Sequence, residues 1–255
     1  GGVRELNLIA QDTSHYGRDL GNVDGLPRLL EDLDRIDGLR WIRLHYLYPN
    51  TVTSSLIDAM ARLPKVLPYV DIPLQHADSA VLARMLRGGS ARTHLALLDR
   101  FRTRLPGAVI RSTLIVGFPG ETEEEFGGLL EFVEQARFDH LGVFTYSHEE
   151  GTGAHSLDDD VPEEVKASRR DRIMKRQGRI VAERHRKWIG RTVEVLVEGV
   201  HPETVHLLVG RMASQAPDVD GQILINDGFA EPGSFVSVEL TEPAGYDLAG
   251  RIVGV

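Results

Sequence analysis

The chain has 255 residues, 42% of them hydrophobic, with a formal net charge of −9 at pH 7 and charges of both signs along its length. That composition supports a sizeable core, and no apolar run approaches the roughly 20 residues a membrane helix needs, so a soluble, cytoplasmic protein is expected. There is no cysteine, which excludes disulfides, thiolate zinc sites and any iron-sulfur cluster held by this chain's own thiolates.

In chain order, short apolar or β-branched runs at 5–10, 41–44, 69–72, 109–116 and 141–145 alternate with amphipathic stretches at 26–36, 54–63, 79–86, 93–105 and 123–136. Strands alternating with helices predict repeated β-α units around a parallel sheet, hence an α/β partial barrel or open sheet over residues 1–160. Thr122 followed by Glu125 reads as a capping box for the fifth helix. Residues 161–189 predict one long connecting helix, with Pro162 at its start and many Arg and Lys. A surface helix packed through Val165, Ile173, Ile180 and Trp188 is preferred there over a nucleic-acid surface. Residues 190–255 change character. Five strand-like runs at 192–197, 207–212, 222–225, 235–240 and 251–255, separated by Gly, Pro, Asn and Asp turns, predict a small closed β-barrel of oligonucleotide-binding type. This part holds ten carboxylates against three arginines, so it carries −7 of the total charge.

Ligands of parallel β-α architectures collect at the carboxyl ends of the strands. Those ends read Gln11-Asp12-Thr13-Ser14, His45-Tyr46-Leu47-Tyr48-Pro49, Pro73-Leu74-Gln75-His76, Gly117-Phe118-Pro119-Gly120-Glu121-Thr122 and Tyr146-Ser147-His148-Glu149-Glu150. Gly117 and Gly120 allow a ligand close to the backbone at a helix start, although the Lys-Ser of a phosphate-binding loop is missing. A tight strand-to-helix turn accounts for the same residues. Gln75 and His76 can grip a polar ligand or be a structural pair. Arg43, inside a short strand, is a buried or ligand-facing charge. Asp158-Asp159-Asp160 reads as helix-start acids rather than a metal cluster.

Taken together, residues 5–13, 69–76, 115–122 and 144–152 resemble, in order and spacing, the radical S-adenosylmethionine (SAM) methylthiotransferases. The resemblance implies a partial (βα) radical SAM barrel followed by a TRAM β-barrel. It places Gln11 and Asp12 near the methionine end of SAM, Gln75 and His76 near its ribose, Gly117, Phe118, Pro119, Gly120 and Glu121 beside the adenine, and Phe144 and Tyr146 at the same mouth; Arg43 joins them as a cofactor-binding candidate. It also implies two 4Fe-4S clusters in a parent enzyme. The family's cysteine loop and second-cluster domain are expected upstream of Gly1, so this chain alone is expected to be inactive. No side chain is assigned as a general base, and no metal ligand.

Within the family, the acidic barrel argues for a basic protein substrate over an RNA. The resemblance is therefore to the RimO type, whose reaction inserts a methylthio group at the β-carbon of one aspartate in ribosomal small-subunit protein twelve. That protein is expected to dock on the acidic barrel, with direct RNA binding and membrane association not expected. The alternatives are a transfer-RNA adenosine methylthiotransferase, a docking scaffold for a basic protein, and a plain barrel lyase or hydrolase built on His76, Gln75 and Glu121.

Overall fold

A computed structural model describes residues 2–254. Strands β1 (Glu5–Leu8), β2 (Trp41–Leu44), β3 (Val66–Asp71), β4 (Val109–Val116) and β5 (His140–Thr145) pair in chain order as one parallel sheet. Parallel neighbours need crossovers. These are made by α1 (Gly25–Asp34), α2 (Ser54–Arg62), α3 (Ser79–Arg84), α4 (Ala91–Arg104) and α5 (Glu123–Ala136). The caps follow the sequence: Thr53 accepts from the Leu56 amide, Ser90 and Thr93 form a capping box, and Thr122 and Glu125 form the one expected.

β4 shows how the sheet sorts its side chains. Ile110, Ser112, Leu114 and Val116 are buried on one face, whereas Arg111, Thr113 and Ile115 alternate onto the other. Ile110, Leu114 and Val116 belong to the main core with Phe126, Leu129 and Phe132 of α5. β3 begins three residues earlier than its sequence pattern predicts. Pro68 sits inside it, where pairing with β2 is irregular and pairing with β4 starts only at Tyr69, so the missing amide removes no regular ladder bond.

The long helix α6 (Glu163–Arg186) packs differently from expectation. Ile173 and Ile180 are buried as predicted, but Lys166, Arg169 and Gln177 are buried too, and Val165 is only half-buried. Each of these side chains has a partner: Lys166 binds Asp159 and Glu163, Arg169 binds Glu121, and Gln177 donates to the Phe138 carbonyl. The basic residues nearest the sheet are thus internal ties.

Strands β6 (Thr192–Val200), β7 (Leu208–Met212), β8 (Ile223–Asp227), β9 (Phe235–Ala244) and β10 (Asp247–Gly254) close a barrel in the order β10-β8-β7-β6-β9. β9 and β10 run longer than the sequence runs because they meet in a hairpin at Gly245-Tyr246. The glycine at 250 lies where their register slips. A Cβ there would fall 2.6 Å from Val238 Cγ1 and 2.7 Å from the Glu239 carbonyl. Val255, the end of the last expected strand, lies outside the described residues.

The barrel seals the amino-terminal half of the sheet's inner face. Trp41, Leu67 and Tyr69 pack with Leu196 and Ala216, and the Trp41 ring meets Phe235 edge-on at 4.9 Å. Tyr69 donates to Asp220 at 2.6 Å, and His140 donates through Nε2 to the Ser214 carbonyl at 2.8 Å. The carboxyl-terminal half of the inner face stays open, which sets the place of a ligand site. No helix among the described residues is long and apolar enough to cross a membrane.

Candidate functional site

Two adjoining cavities occupy the open half, sharing Gln75 and Arg87. One of about 430 Å³ is lined by polar groups that follow β1, β2 and β3, among them Gln11, Tyr46 and Gln75, and by Arg111 and Thr113 of β4, with Phe144 and Tyr48. The other, about 550 Å³, is more apolar and lies against Met85, Ile115, Phe118, Ala154 and Leu157. Phe118 is held edge-on to Tyr146 at 5.1 Å. The rim is conformationally strained. Tyr46, Gln75 and Leu86 have left-handed φ of 56°, 69° and 56°, three of the five non-glycine residues with positive φ among those described. Gln75 is fixed there by its backbone, which donates to the Thr113 carbonyl and accepts from the Ile115 amide, both at 2.8 Å.

Four of the residues predicted from sequence therefore line this mouth: Gln11, Gln75, Phe118 and Phe144. Tyr146 stands behind Phe118, buried, with its hydroxyl against His148. The others are placed elsewhere. Asp12 turns away to accept from Ser14 at 2.5 Å and from Thr51 at 3.3 Å, tying two loops together. His76 and Glu121 are fully buried and bond each other at 3.2 Å. The His76 Nδ1 accepts from the Asp78 amide, so its proton is on Nε2, facing Glu121. Glu121 also accepts from the Gly117 amide and from Arg169 at 3.0 Å. That knot joins β4, the turn after β3 and α6, and it leaves neither side chain free for a ligand.

The glycines serve the same knot. Gly117 has φ +71°, and a Cβ on it would lie 2.2 Å from Lys166 Cγ, so the space it leaves is filled by the lysine stem. Gly120 donates to Asp160 at 2.7 Å, which gives the acidic run before α6 its role, with Pro119 buried between the two glycines. Among the described residues no cluster of His, Cys, Asp or Glu has metal-binding geometry.

Arg43 is wholly buried beneath the β-barrel. Its Nε donates to Glu5 at 2.9 Å, its Nη1 to the Ala213 carbonyl at 2.9 Å, and its guanidinium lies over the Tyr69 ring at 4.5 Å. Glu5 in turn pairs with Arg211 at 2.5 Å. Of the two readings the sequence left open for Arg43, buried or ligand-facing, the structure has the buried one, so it is not a cofactor-binding residue of this mouth: the second barrel covers that end of the inner face. Nearer the mouth lies a related chain of charges. Arg111 donates to Asp71 at 3.0 Å and lies 3.4 Å from Asp220, while His45 contacts Asp71 at 3.0 Å. Burial works to raise the Asp71 pKa, but hydrogen bonds from His45 and Arg111 hold it below the usual carboxylate value.

The sequence reading quoted Tyr48 and Ile115 without choosing them, and it missed Arg87, Arg111, Thr113 and Val219. Strict alternation in β4 was the available signal for 111, 113 and 115. Val219 belongs to the β7–β8 loop, and no local pattern announces that a distant loop reaches the mouth.

Comparison with known proteins adds sequence evidence. A match to the Radical SAM superfamily covers residues 8–133, and a TRAM domain match covers residues 189–253. The chain is 52% identical, over 99% of its length, to the ribosomal protein uS12 methylthiotransferase RimO of Anaeromyxobacter sp. (strain K), covering 54% of that protein. It is 50% identical to the RimO of Myxococcus xanthus (strain DK1622), again over 99% of the chain and 53% of that protein. This chain carries a radical SAM domain and a TRAM domain and is similar, over nearly its whole length, to radical SAM methylthiotransferases of the RimO type. It spans about half the length of the curated relatives it matches. Among solved structures, the radical SAM enzyme coproporphyrinogen III oxidase (HemN) from Escherichia coli shares the fold, with a TM-score of 0.50 at 16% identity, over 75% of this chain and 51% of that one.

The groups this family uses can be tested against the residues present. Two adjoining cavities, one apolar and one polar and each within the size range of small-molecule sites, fit the two ends of SAM. A 4Fe-4S cluster does not fit the chain's own donors, because it contains no cysteine.

Proposed function

We propose that the parent of this chain is a radical SAM methylthiotransferase that modifies the β-carbon of an aspartate in ribosomal small-subunit protein uS12, in the cytoplasm where that protein is made. The observation that carries the reading is identity of about half the residues with RimO proteins over nearly the whole chain. The mouth at the strand ends supports it. In this reading the apolar cavity at Ile115, Phe118 and Leu157 takes the adenine of SAM, and the polar cavity at Gln11, Gln75 and Thr113 takes its methionine end and the target aspartate. SAM would supply the methyl group and the radical that removes the β-hydrogen. The clusters that the family reaction needs require thiolates that this chain does not contribute. What the chain contributes is binding, orientation and exclusion of water, the last through Phe144, Tyr46 and the Val219 loop.

The β-barrel is the proposed docking surface. Among the described residues Glu203, Asp218, Asp227, Glu231 and Glu242 are exposed and form no ion pair, whereas Glu194, Glu198 and Glu239 are neutralised by Arg40, Arg211 and Arg251. Unpaired surface carboxylates attract a basic ribosomal protein and repel a polyanion. The test is binding of the chain to uS12 and, separately, to transfer RNA across a salt series. Binding of uS12 that weakens with salt, with no RNA binding, supports the reading. Tight RNA binding without uS12 binding would move the assignment to a transfer-RNA enzyme.

A further inference from the structure

A third cavity, of about 280 Å³, lies where the β-barrel meets the edge of the sheet. It adjoins the polar half of the mouth, because Arg111 and Val219 line both. Its walls come from four places: Arg111 on β4, His140 and Gly142 on β5, Asp220 in the β7–β8 loop, and Tyr246 with Asp247 where the β9–β10 hairpin turns. β5 is the edge strand of its sheet, so no further strand closes that side.

Close packing of the barrel loops builds the cleft. Gly221 admits no side chain: a Cβ there would run into the Tyr246 carbonyl oxygen and stand 3.1 Å from Asp247 Oδ1. The Gln222 amide donates to that same Oδ1 at 2.8 Å, which fixes the Asp247 carboxylate in the wall.

The charges of the wall do not balance. The Asp220 side chain is wholly buried. Its Oδ2 accepts from the Tyr69 hydroxyl at 2.6 Å and from the Ala216 amide at 2.8 Å. Its Oδ1 has no hydrogen bond, although Arg111 Nε and His140 Nδ1 each stand 3.4 Å away. Because His140 donates through Nε2 to the Ser214 carbonyl, its neutral ring turns a lone pair toward Oδ1. A buried carboxylate oxygen in that position is costly and favours a donor that enters the cavity. Arg111 cannot offset the wall alone, since it is shared between Asp220 and Asp71. Asp247 adds a carboxylate that forms no ion pair among the described residues, and the exposed Tyr246 adds a ring of the kind on which guanidinium and ammonium groups pack.

We propose that this cleft takes an arginine or lysine side chain of the substrate polypeptide while its target aspartate occupies the neighbouring mouth. The inference rests on the reading given above, in which the substrate is a basic protein. It makes the β-barrel a wall of the substrate path as well as an acidic surface, since Asp220, Tyr246 and Asp247 all belong to that barrel.

The experiment has two arms. The first measures binding of uS12 to the chain and to its Asp247→Asn and Glu203→Gln variants at one salt concentration, with thermal melting to confirm that each is folded. Asparagine keeps the oxygen that accepts from Gln222 and removes the charge; Glu203→Gln makes the same charge change in the β6–β7 loop. Asp247→Asn should weaken uS12 by about fivefold or more, and Glu203→Gln by about twofold at most, as for one charge at a rim. The second arm follows the backbone amide resonances of Gly221 and Tyr246 as N-acetyl-arginine amide, or its uncharged isostere N-acetyl-citrulline amide, is added. The arginine probe should move both resonances saturably, with half-saturation raised about threefold or more by Asp247→Asn, and the citrulline probe should leave them in place. A citrulline response equal to that of arginine, or no response to arginine, overturns the proposal. So does uS12 binding that both variants weaken equally, a result that leaves the uS12 reading intact. A chain that does not bind uS12 yet shows the Asp247-dependent arginine response would instead overturn the uS12 reading and leave the cleft as a cation site for another basic protein.

Discussion

Replacing Gly117 by alanine places a methyl group where the Lys166 stem lies. Two costs add. At φ +71° an L-residue is disfavoured by about 1–2 kcal/mol. The new Cβ would also stand 2.2 Å from Lys166 Cγ and 3.0 Å from its Cβ, at the root of a side chain whose far end is tied to Asp159 and Glu163, so it cannot swing aside freely. Overpacking of that kind costs roughly 1–3 kcal/mol. Together they amount to about 2–5 kcal/mol, which for a domain of this size lowers the melting temperature by roughly 5–15 °C. Gly117→Ala combined with Lys166→Ala should recover the steric part, giving a coupling of at least about 1 kcal/mol in a double-mutant cycle of thermal or urea unfolding. If Gly117 were glycine only so that a ligand could approach, Gly117→Ala would leave stability within about 1–2 kcal/mol of wild type and show no coupling to position 166. That result would refute the packing argument.

Other consequences follow from buried titratable groups. His94 is packed beneath Gly89 and against Phe132, and burial, aided by Arg87, lowers its pKa to about 4. A depressed folded pKa means that its contribution to stability is complete above the unfolded value of about 6.5 and is lost as pH falls through about 4. The His94 ring proton resonances should therefore show no titration between pH 7 and 5, and a midpoint near 6.5 would contradict the burial argument. Tyr69 has the opposite sense: burial, then the Asp220 carboxylate, raises its pKa. Its contribution is full below pH of about 10 and declines above it, so Tyr69→Phe should leave the reversible tyrosinate absorbance step of the folded chain unchanged. A smaller step in that variant would show that Tyr69 ionises in the fold and that the contact with Asp220 is open.

Much of this fold was legible because its signals are local. The short apolar runs of the sheet strands, the capping box at Thr122 and Glu125, and the turn residues of residues 190–255 each act over a few positions. The sequence reading ended its fourth run at Leu240 and began its fifth at Arg251, and so missed the residues between them that pair antiparallel in the β9–β10 hairpin, among them Pro243 with Leu248 and, at the slipped register, Gly250 with Leu240. The candidate site was legible only in outline. Strand ends point to the mouth at Gln11, Gln75 and Phe118, and the family resemblance added Phe144. Whether a polar residue there faces a ligand or a neighbouring element depends on long-range packing. Glu121, the partner of His76, faces Arg169 on α6, 48 residues further on, and Arg43 faces the Ala213 carbonyl, 170 residues away.

The central claim is tested most directly by exchanging this chain for the matching half of the Myxococcus xanthus RimO and measuring, by mass spectrometry, the methylthiolation of uS12 by the reconstituted chimera. The account predicts a methylthio group on one aspartate of uS12 and none on transfer RNA. A folded, cluster-loaded chimera that leaves uS12 unmodified and methylthiolates adenosine in transfer RNA would contradict it.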